Sequence, residues 1–311
     1  MSSLETRTDK KTLSKKPPIK KLGTLDCDMV ETTPVVFHNR LYRFEYVRAN
    51  YKANKTGDSY FRFIDVGSGE PTSAFAAGYH LGSAHAEGDT VYAYGVDAWG
   101  GSKIQVFWSR DLETWSSKPA LILPGWGIYN NSVCKGPGRY LMAFEIGEPP
   151  EEVGVRFTNR FAASSDLLNW EVMPSPCVYA KDHYTACPAL RFVEGFYYMI
   201  YLETMPGPTY ESHMVRSKDL VHWQTSPFNP VIQFSPEDKI MGNADLTAEE
   251  RARIANAVNR NSSDADLCEF KGQAIIYYAW GDQQGTEFLA QAVYDGTMDS
   301  FLRGFFPEES T

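Results

Sequence analysis

Acidic and histidine side chains gather at the predicted starts of several short strands, where they could act as general acids and bases. The candidates for catalysis are Glu31, Asp264, His183, Asp28, Asp182 and Asp266. Cleavage of a glycosidic bond needs one carboxylic acid that keeps its proton near neutral pH and one ionised carboxylate. Carboxylates that converge raise each other's pKa, so one cluster of them could supply both forms. Each acid could instead cap a turn or bind an ion.

A second set of polar and aromatic residues lies near the same strand ends and could contact a substrate. This set contains His80, His85, Asn130, Asn131, Tyr184, Glu45, Glu145, Glu203, Arg260, Trp99 and Trp280. The aromatic rings could stack on sugars or pack between structural units. Arg260 could clamp a carboxylate in a bidentate way or join an ion pair of the protein itself. Glu45, Glu145 and Glu203 recur at equivalent positions, which favours structural or hydroxyl-binding roles.

These residues must be positioned by a repeated element, and one short motif occurs three times. The pattern S-x-D-L-x-x-W occurs at residues 109–115, 164–170 and 217–223, so its tryptophans are spaced 55 and 53 residues apart. Ser and Asp are typical turn residues, while Leu and Trp have the bulk to fill a gap between neighbouring units. The motif therefore predicts a repeat of about 55 residues.

Five aromatic strand segments, four of them opened by Gly in a turn, accompany this repeat. They lie at residues 40–46, 88–94, 138–144, 195–201 and 272–278. Five units of four short strands around an axis describe an all-β fold, a five-bladed β-propeller. In such a blade the start of the first strand and the end of the second lie at the same end of the axis, which would bring the candidate residues together.

One helical insert is predicted between blades four and five. Thr247 and Glu250 form a capping box ahead of an Ala-rich run, which is typical of a helix start. This insert explains why Phe301, which would occupy the place of the motif's tryptophan in blade five, follows Trp223 by 78 residues.

Charge divides the chain into a basic leader and an acidic body. The 311 residues carry a net charge of −9, yet residues 1–25 contain seven Lys or Arg against two acids. The rest therefore has 23 basic and 37 acidic residues, which argues against nucleic-acid binding. We expect a flexible basic tail at residues 1–25 and one propeller domain at residues 26–311.

Cysteine spacing and hydropathy limit the remaining function classes. The five cysteines are scattered and show no CxxC pair, so neither a disulfide framework nor a zinc site is indicated. No apolar run is long enough to span a membrane and the N-terminus has no signal-peptide core, which predicts a cytoplasmic protein with no membrane partner. No cofactor is expected, although the oxygen ligands near the axis would suit a central calcium ion.

The hairpins and the S-x-D-L-x-x-W turns resemble those of the five-bladed propeller glycoside hydrolases, which include arabinanases, xylosidases, invertases and levansucrases. The resemblance covers about residues 26–306 and implies this fold and a glycosidase activity. It also implies an Asp in blade one, a second Asp and an E-x-P glutamate in later blades. Here Thr33 precedes Pro34, Asn131 stands in blade three, and Ala186 occupies the glutamate position, so the usual acid motif is missing.

These departures leave a specific hypothesis and two alternatives. The hypothesis is a divergent glycosidase, exo-acting on small oligosaccharides, in which Glu31 and Asp264 form the carboxylate pair and His183 donates a proton. The missing acids also fit a noncatalytic propeller that binds glycans. A lyase on uronic-acid-containing oligosaccharides is the third interpretation, with His183 or Tyr184 as the base and Arg260 on the carboxylate.

Overall fold

The computed structural model describes residues 15–48, 58–207 and 209–307. Strand accounts for 53% of the structure and helix for 8%. The strands are β1 (Lys20–Cys27), β2 (Thr32–Phe37), β3 (Arg40–Arg48), β4 (Ser59–Asp65), β5 (His80–Glu87), β6 (Thr90–Val96), β7 (Lys103–Ser109), β8 (Ser116–Ile122), β9 (Gly127–Gly136), β10 (Arg139–Glu148), β11 (Thr158–Ser164), β12 (Glu171–Val172), β13 (Ala186–Val193), β14 (Phe196–Met205), β15 (Thr209–Ser217), β16 (Trp223–Thr225), β17 (Asn261–Phe270), β18 (Gln273–Gly281) and β19 (Glu287–Tyr294). The helices are α1 (Pro150–Val153), α2 (Ala248–Asn256) and α3 (Met298–Gly304), with a 3-10 turn at Pro236–Lys239.

Within the described residues these strands form five antiparallel sheets arranged as the blades of a propeller. Blade 1 has the order β2-β3-β4, blade 2 β5-β6-β7-β8, blade 3 β9-β10-β11-β12 and blade 4 β13-β14-β15-β16. Blade 5 has the order β17-β18-β19-β1. The inner strands are β2, β5, β9, β13 and β17, and contacts join each of them to the inner strands of neighbouring blades. The predicted five-bladed β-propeller is confirmed.

The last blade takes its outer strand from the beginning of the chain. β1 pairs antiparallel with β19 from Lys20 opposite Val293 to Cys27 opposite Phe288. Two bulges interrupt this pairing, and a side chain at Gly23 would overlap the Ile240 carbonyl group. The boundary predicted at residue 26 therefore falls inside β1, because residues 20–25 pair with the last blade instead of forming a tail. Residues 1–14 of that predicted tail lie outside the described residues.

The three S-x-D-L-x-x-W motifs form the same hydrogen-bonded turn at the end of the third strand. In blade 3, Ser164 Oγ accepts from the Leu167 amide at 2.9 Å, and Asp166 Oδ1 accepts from the Leu168 and Asn169 amides, both at 2.8 Å. Leu167 lies in the left-handed region with φ 65°, and its carbonyl group accepts from Trp170 Nε1 at 3.3 Å. The turn thus holds the Trp in a fixed position.

Each motif tryptophan packs against the preceding blade, as the repeat predicted. Trp115 stacks on Phe75 at a centroid distance of 3.8 Å. Trp170 meets Tyr94 edge to face at 5.8 Å, and Trp223 stacks on Phe161 at 5.7 Å. The aromatic residues of the sequence are therefore used first to join blades, at interfaces where large rings bury the most apolar surface.

The insert and the chain end form helices beside blade 5. The capping box of Thr247 and Glu250 opens α2 as predicted, with Thr247 Oγ1 accepting from the Glu250 amide at 3.2 Å. Phe301, by contrast, lies in the helix α3 instead of a motif turn, because Thr297 caps a helix there. Phe301 is nevertheless buried in the apolar core of blades 4 and 5. No helix among the described residues is long and apolar enough to cross a membrane.

A bulge near the start of three inner strands places one residue in the left-handed region. These residues are Leu81 in β5 (φ 51°), Cys187 in β13 (φ 52°) and Asp264 in β17 (φ 50°), each at a shift in the pairing register. Bulges redirect side chains and occur often beside functional sites. A non-glycine residue with this φ costs about 1–3 kcal/mol and indicates a site where the position matters.

We expect Trp170→Ala to lower the free energy of unfolding by about 3–5 kcal/mol, because removal of a buried Trp leaves a cavity between blades 2 and 3. Urea denaturation followed by circular dichroism measures the change. Ser165→Ala, an exposed position in the same turn, is the matched control and should shift stability by less than about 0.5 kcal/mol. Equal stability of the two variants would contradict the interlocking role of the tryptophan.

Candidate active site

The starts of the inner strands enclose a small cavity on the propeller axis. The described residues leave about 30 Å³ there, which is room for about one water molecule. Its lining includes three of the residues that the sequence singled out for catalysis, Glu31, Asp264 and Asp266, together with Asn130, Asn131 and Cys187. The cavity is too small to enclose a ligand larger than a water molecule.

Glu145 is a buried acid at this end of the axis. Its side chain is oriented by two donors to Oε2, the Asn130 amide group at 3.0 Å and the Cys187 backbone N–H at 2.9 Å. Burial raises the pKa of Glu145 to about 7, and the charges of Asp264 and Glu31 act in the same direction. Glu145 can therefore keep its proton close to neutral pH.

Asp264 extends from the bulge in β17 into the same cavity. Burial, followed by the charge of Glu31, raises the pKa of Asp264 to about 6. Hydrogen bonds from the side chains of Ser263 and Cys187 oppose this increase. Asp264 thus ionises at a lower pH than Glu145, and the two predicted partners Glu31 and Asp264 lie within electrostatic range of each other.

Glu31 forms an ion pair with Arg48 at the end of β3. Arg48 Nη2 lies 3.1 Å from Oε2 of Glu31 and Nη1 lies 3.3 Å from Oε1. The Arg48 side chain is 3% exposed, and its guanidinium group packs 4.9 Å from the centre of the Tyr46 ring. This fixed cation offsets part of the negative charge that the carboxylates bring to the cavity.

Cys187 contacts three of the polar groups in the site. Its backbone N–H donates to Glu145, its Sγ lies 3.5 Å from Asn130 Nδ2, and its thiol is hydrogen-bonded to Asp264. Burial raises the pKa of this thiol well above its ordinary value. Cys187 is therefore a neutral hydrogen-bonding group between the two acids, and it is no activated nucleophile.

His183 and Asp182 lie away from the axial cavity. His183 Nδ1 is 2.8 Å from Oδ1 of Asp182, and Nε2 is 3.5 Å from Oε2 of Glu203. The His183 ring packs edge to face on Tyr179, while Asp182 is 88% exposed. Neither residue lines the cavity with Glu31 and Asp264, so the structure does not join His183 to the predicted carboxylate pair.

Asp28 and Asp266 form ion pairs with arginines of the protein. Asp28 accepts from both terminal nitrogens of Arg253 in α2, at 2.7 and 2.9 Å. Asp266 pairs with Arg191 and caps the Leu267 amide at 2.8 Å. Asp266 lines the cavity and Asp28 does not. Asp28 fixes the insert against the segment that leads to Glu31.

Two residues predicted to contact substrate are buried in blade packing, which corrects those assignments. Trp280 is fully buried, stacks on Phe288 at 4.6 Å and donates from Nε1 to Thr24 Oγ1 at 2.9 Å. Glu45 is equally buried and pairs with Arg43 and Arg62. Both side chains are enclosed by the packing on a face of their sheet and lie outside the lining of the axial cavity.

The histidines and asparagines of the second set have different environments. His80 is buried, with Nδ1 2.9 Å from the Tyr46 hydroxyl group, and burial lowers its pKa. His85 lines a separate cavity of about 300 Å³ farther along the axis, where burial lowers its pKa to about 4. Asn131 holds the Leu81 carbonyl group at 3.1 Å. Of these four residues, Asn130 alone contacts Glu145.

The remaining candidates lie on the rim. Tyr184 is half-buried, and its electrostatic neighbours include Cys187, Glu145 and Asp264. Trp99 is 42% exposed, and Arg260 is exposed beside Tyr210, whose amide donates to the Arg260 carbonyl group at 3.0 Å. These three residues can contact a ligand above the cavity.

Arg48 and Cys187 were missed by sequence reasoning. Glu31 lies one residue ahead of Thr32, which pairs with Glu45, so extending the register of the first hairpin would have placed Arg48 near Glu31. An alignment of the inner-strand starts would likewise have matched Cys187 to Asp264. Within residues 15–48, 58–207 and 209–307, no group of three or more His, Cys, Asp or Glu could hold a metal ion.

Comparison with known proteins shows similarity in fold. The sequence matches no protein-family model and none of the curated proteins compared with it. The chain is similar to a structure described as a glycoside hydrolase, with 14% identity, a TM-score of 0.61, and 95% of this chain and 96% of that chain covered.

Two further solved structures resemble the chain. One belongs to work on the GH130 family of mannoside phosphorylases, which contains glycoside hydrolases that target β-1,2 mannosidic linkages in Candida mannan. Its identity is 11% and its TM-score 0.57, with 85% of this chain and 84% of that chain covered. The other is a xylan β-1,4-xylosidase from Bacillus halodurans, with 13% identity, a TM-score of 0.54 and coverages of 86% and 53%. The predicted likeness to glycoside hydrolase propellers is confirmed for the fold.

Glu145→Gln should stabilise the protein increasingly as the pH rises from about 5 to about 8. The raised pKa of Glu145 means that the folded state holds a proton which the unfolded state releases at lower pH, so wild-type stability falls across this window. The neutral amide of Gln avoids this loss in the free energy of unfolding, which amounts to roughly 3 kcal/mol near pH 8. Urea unfolding at pH 5, 6.5 and 8 measures the difference, with the exposed Glu113→Gln as the control. If the stability difference between Glu145→Gln and wild type did not change with pH, the raised pKa of Glu145 would be contradicted.

Proposed function

We propose that this chain is a glycosidase whose reaction centre consists of Glu145, Asp264 and Glu31. One observation supports this most strongly: Glu145 and Asp264 converge at one end of the axis, and their environments raise their pKa values to about 7 and about 6. Two carboxyl groups that ionise at different pH are what acid and base roles require. The fold shared with glycoside hydrolase propellers makes this chemistry the natural one to test.

Glu145 serves as the proton donor to the glycosidic oxygen. It is the acid of this pair with the higher pKa, and two donors hold Oε2, which leaves Oε1 to carry the proton toward the leaving group. Asp264, ionised at neutral pH, activates water or attacks the anomeric carbon. The cavity beside Asp264 has the volume of one water molecule, in keeping with a water-activating role.

Glu31 and Arg48 set the charge around this pair. The negative charge of Glu31 acts on both Asp264 and Glu145, while Arg48 pairs with Glu31 and lowers the pKa of Asp264. The positive charge that develops on the sugar in the transition state is stabilised by the Glu31 carboxylate. Glu31 and Asp264 thus keep the pairing inferred from the sequence, and Glu145 replaces His183 as the proton donor.

The position of the site on the rim favours the end of a short sugar chain as the substrate. The axial cavity admits no sugar ring, so a chain cannot thread along the axis. Exo-cleavage of small oligosaccharides therefore fits the geometry best. A cytoplasmic location would match substrates of that size.

Asp264→Asn is expected to reduce turnover by at least about 10³-fold, because the ionised carboxylate is lost, while the melting temperature stays within a few degrees. Activity is measured on 4-nitrophenyl glycosides of arabinofuranose, xylose, mannose and fructofuranose, and on the matching oligosaccharides. Asp182→Asn is the control, since Asp182 is exposed and outside the cavity. Full activity of Asp264→Asn would contradict the role of Asp264 as the ionised carboxylate of the reaction.

Glu145→Gln should lose about 10²–10⁴-fold on oligosaccharides and far less on 2,4-dinitrophenyl glycosides, whose leaving group needs no proton. His183→Gln should remain within a few-fold of wild type on both kinds of substrate. A large loss in His183→Gln on oligosaccharides, with Glu145→Gln close to wild type, would instead assign the proton-donor role to His183.

The same glycosides and oligosaccharides also distinguish the two alternative functions from a glycosidase. A noncatalytic glycan-binding propeller would bind an oligosaccharide in calorimetry and release no reducing ends on long incubation. A lyase would give an unsaturated product that absorbs in the ultraviolet, and only with uronic-acid-containing substrates. Either result would overturn the glycosidase.

The pH profile of kcat/KM should be a bell with its maximum between about 6 and 7, because Asp264 must be ionised and Glu145 protonated. Activity falls below the pKa of Asp264 and above that of Glu145. In Glu145→Gln the alkaline limb should disappear on activated substrates. A profile with no limb between pH 5 and 8 would contradict both roles.

A further inference from the structure

Five aromatic rings form a continuous row along the rim of blades 2, 3 and 4. The rings, which we call the aromatic arc, belong to Trp99, Tyr129, Phe157, Tyr184 and Tyr210. Successive centroids are 4.9–6.1 Å apart, and neighbouring planes meet at 64–87°. Each ring therefore contacts the next one edge to face, a favourable arrangement for aromatic pairs.

The five rings come from loops and from the first residues of strands at the same end of the propeller. Trp99 follows β6, Tyr129 starts β9, and Phe157 precedes β11. Tyr184 precedes β13 and Tyr210 starts β15. Since second strands end and inner strands begin at the end of the axis that holds Glu145, the arc runs over the site and not over the opposite face.

The arc passes the reaction centre at its fourth ring, Tyr184, and reaches solvent at Trp99. Tyr184 is close enough to Glu145 and Asp264 for the charges of these carboxylates to act on its hydroxyl group. Trp99, at the far end, is 42% exposed. Tyr129 is buried and supports the row from below, whereas Phe157, Tyr184 and Tyr210 are half-buried. Four rings thus retain surface for a ligand.

A cation is fixed on this arc. The guanidinium group of Arg156 lies 5.2 Å from the centre of the Phe157 ring, and Nη2 donates to the Tyr129 hydroxyl group at 3.2 Å. The side chain is 58% exposed, with Glu148 at 3.8 Å as its anionic neighbour. Arg156 can therefore donate hydrogen bonds to an oxygen-rich ligand without first losing conformational freedom.

The other side of the rim is occupied by the protein itself. The insert between β16 and β17 carries α2, whose Arg253 holds Asp28 with two hydrogen bonds. Asp28 directly precedes the segment that carries Glu31. A ligand at the reaction centre that extends beyond one sugar is therefore directed over blades 2 to 4, along the arc.

We propose that the aromatic arc is a binding subsite for the remainder of an oligosaccharide of at least three sugars, with Trp99 stacked on its outermost bound ring. Sugar rings present apolar faces to the aromatic surfaces, and Arg156 donates to their oxygens. This inference rests on the proposed glycosidase and extends it, because it makes chain length the quantity that the site recognises.

The test compares chain lengths in matched variants. Wild-type kcat/KM should rise from disaccharide to tetrasaccharide in the xylo-, arabino- or β-1,2-manno-oligosaccharide series that is cleaved. Trp99→Ala should lose about tenfold in kcat/KM on the tetrasaccharide, the size of one stacking contact, and a smaller factor on 4-nitrophenyl monoglycosides, which are too short to span the arc. Ile122→Ala, an exposed apolar residue at the end of β8, is the control and should behave as wild type.

Arg156→Met should also reduce kcat/KM on the tetrasaccharide, since it keeps the apolar stem and removes the donors. Arg110→Met, at an exposed arginine in the motif turn of blade 2, is the matched control. Loss in both arginine variants would indicate a general charge effect and would overturn the role of Arg156.

Calorimetry with Asp264→Asn separates the two hypotheses. Cleavage of monoglycosides with no dependence on chain length or on Trp99 would overturn the arc and leave the glycosidase standing. Absence of cleavage by the wild-type protein, with tetrasaccharide binding that Trp99→Ala weakens about tenfold, would overturn the glycosidase proposal and leave the arc standing. Neither cleavage nor binding across the three series would overturn both.

Discussion

The pairing of β1 with β19 is the contact on which the whole ring depends. Four blades are built from consecutive strands, but blade 5 is complete only when residues 20–27 return to its outer edge. Without this pairing β19 would be an unprotected edge strand, and closure of the ring would be left to the contacts of β17 and β18 with β2. Two further contacts stabilise this junction: the buried ion pair of Lys21 with Asp238, and the hydrogen bond that Trp280 Nε1 donates to Thr24 Oγ1.

Ring closure has an electrostatic consequence at the axis. Five inner strands that start at one end bring their polar residues into a space that excludes most water, so the carboxyl groups lose hydration. The protein offsets this loss only in part, with Arg48 on Glu31, Arg191 on Asp266, and backbone and amide donors on Glu145. The incomplete compensation is what leaves Glu145 and Asp264 with raised pKa values.

The fold could be predicted from the sequence because its packing elements are local. Each S-x-D-L-x-x-W motif contains the whole turn and the tryptophan that it orients, so its period reveals the blades. β1 was missed because its strand is defined by a partner almost 270 residues away, and because Gly23 and two bulges interrupt its alternation. Phe301 was placed in a turn because an aromatic at the expected position does not reveal whether a helix carries it.

The site was predicted in part, for a related reason. Strand starts could be located, which identified Glu31 and Asp264 as neighbours. The direction in which a side chain points could not be predicted, because it depends on bulges and on the pairing register. Glu45 and Glu145 occupy equivalent second-strand positions, yet one is enclosed by the packing on a face of its sheet and the other reaches the axis. The burial of Trp280 could not be predicted either, because it depends on packing against Phe288 of β19.

The chain segment from β1 to β2 serves two purposes at once. Asp28 follows the closing strand directly, Glu31 comes three residues later, and the ion pair with Arg253 fixes this stretch. The junction that closes the ring and the reaction centre therefore share one short piece of backbone. New chain termini introduced here, as in a circular permutation, would disturb both, whereas the motif turns at the opposite end offer exposed positions far from either.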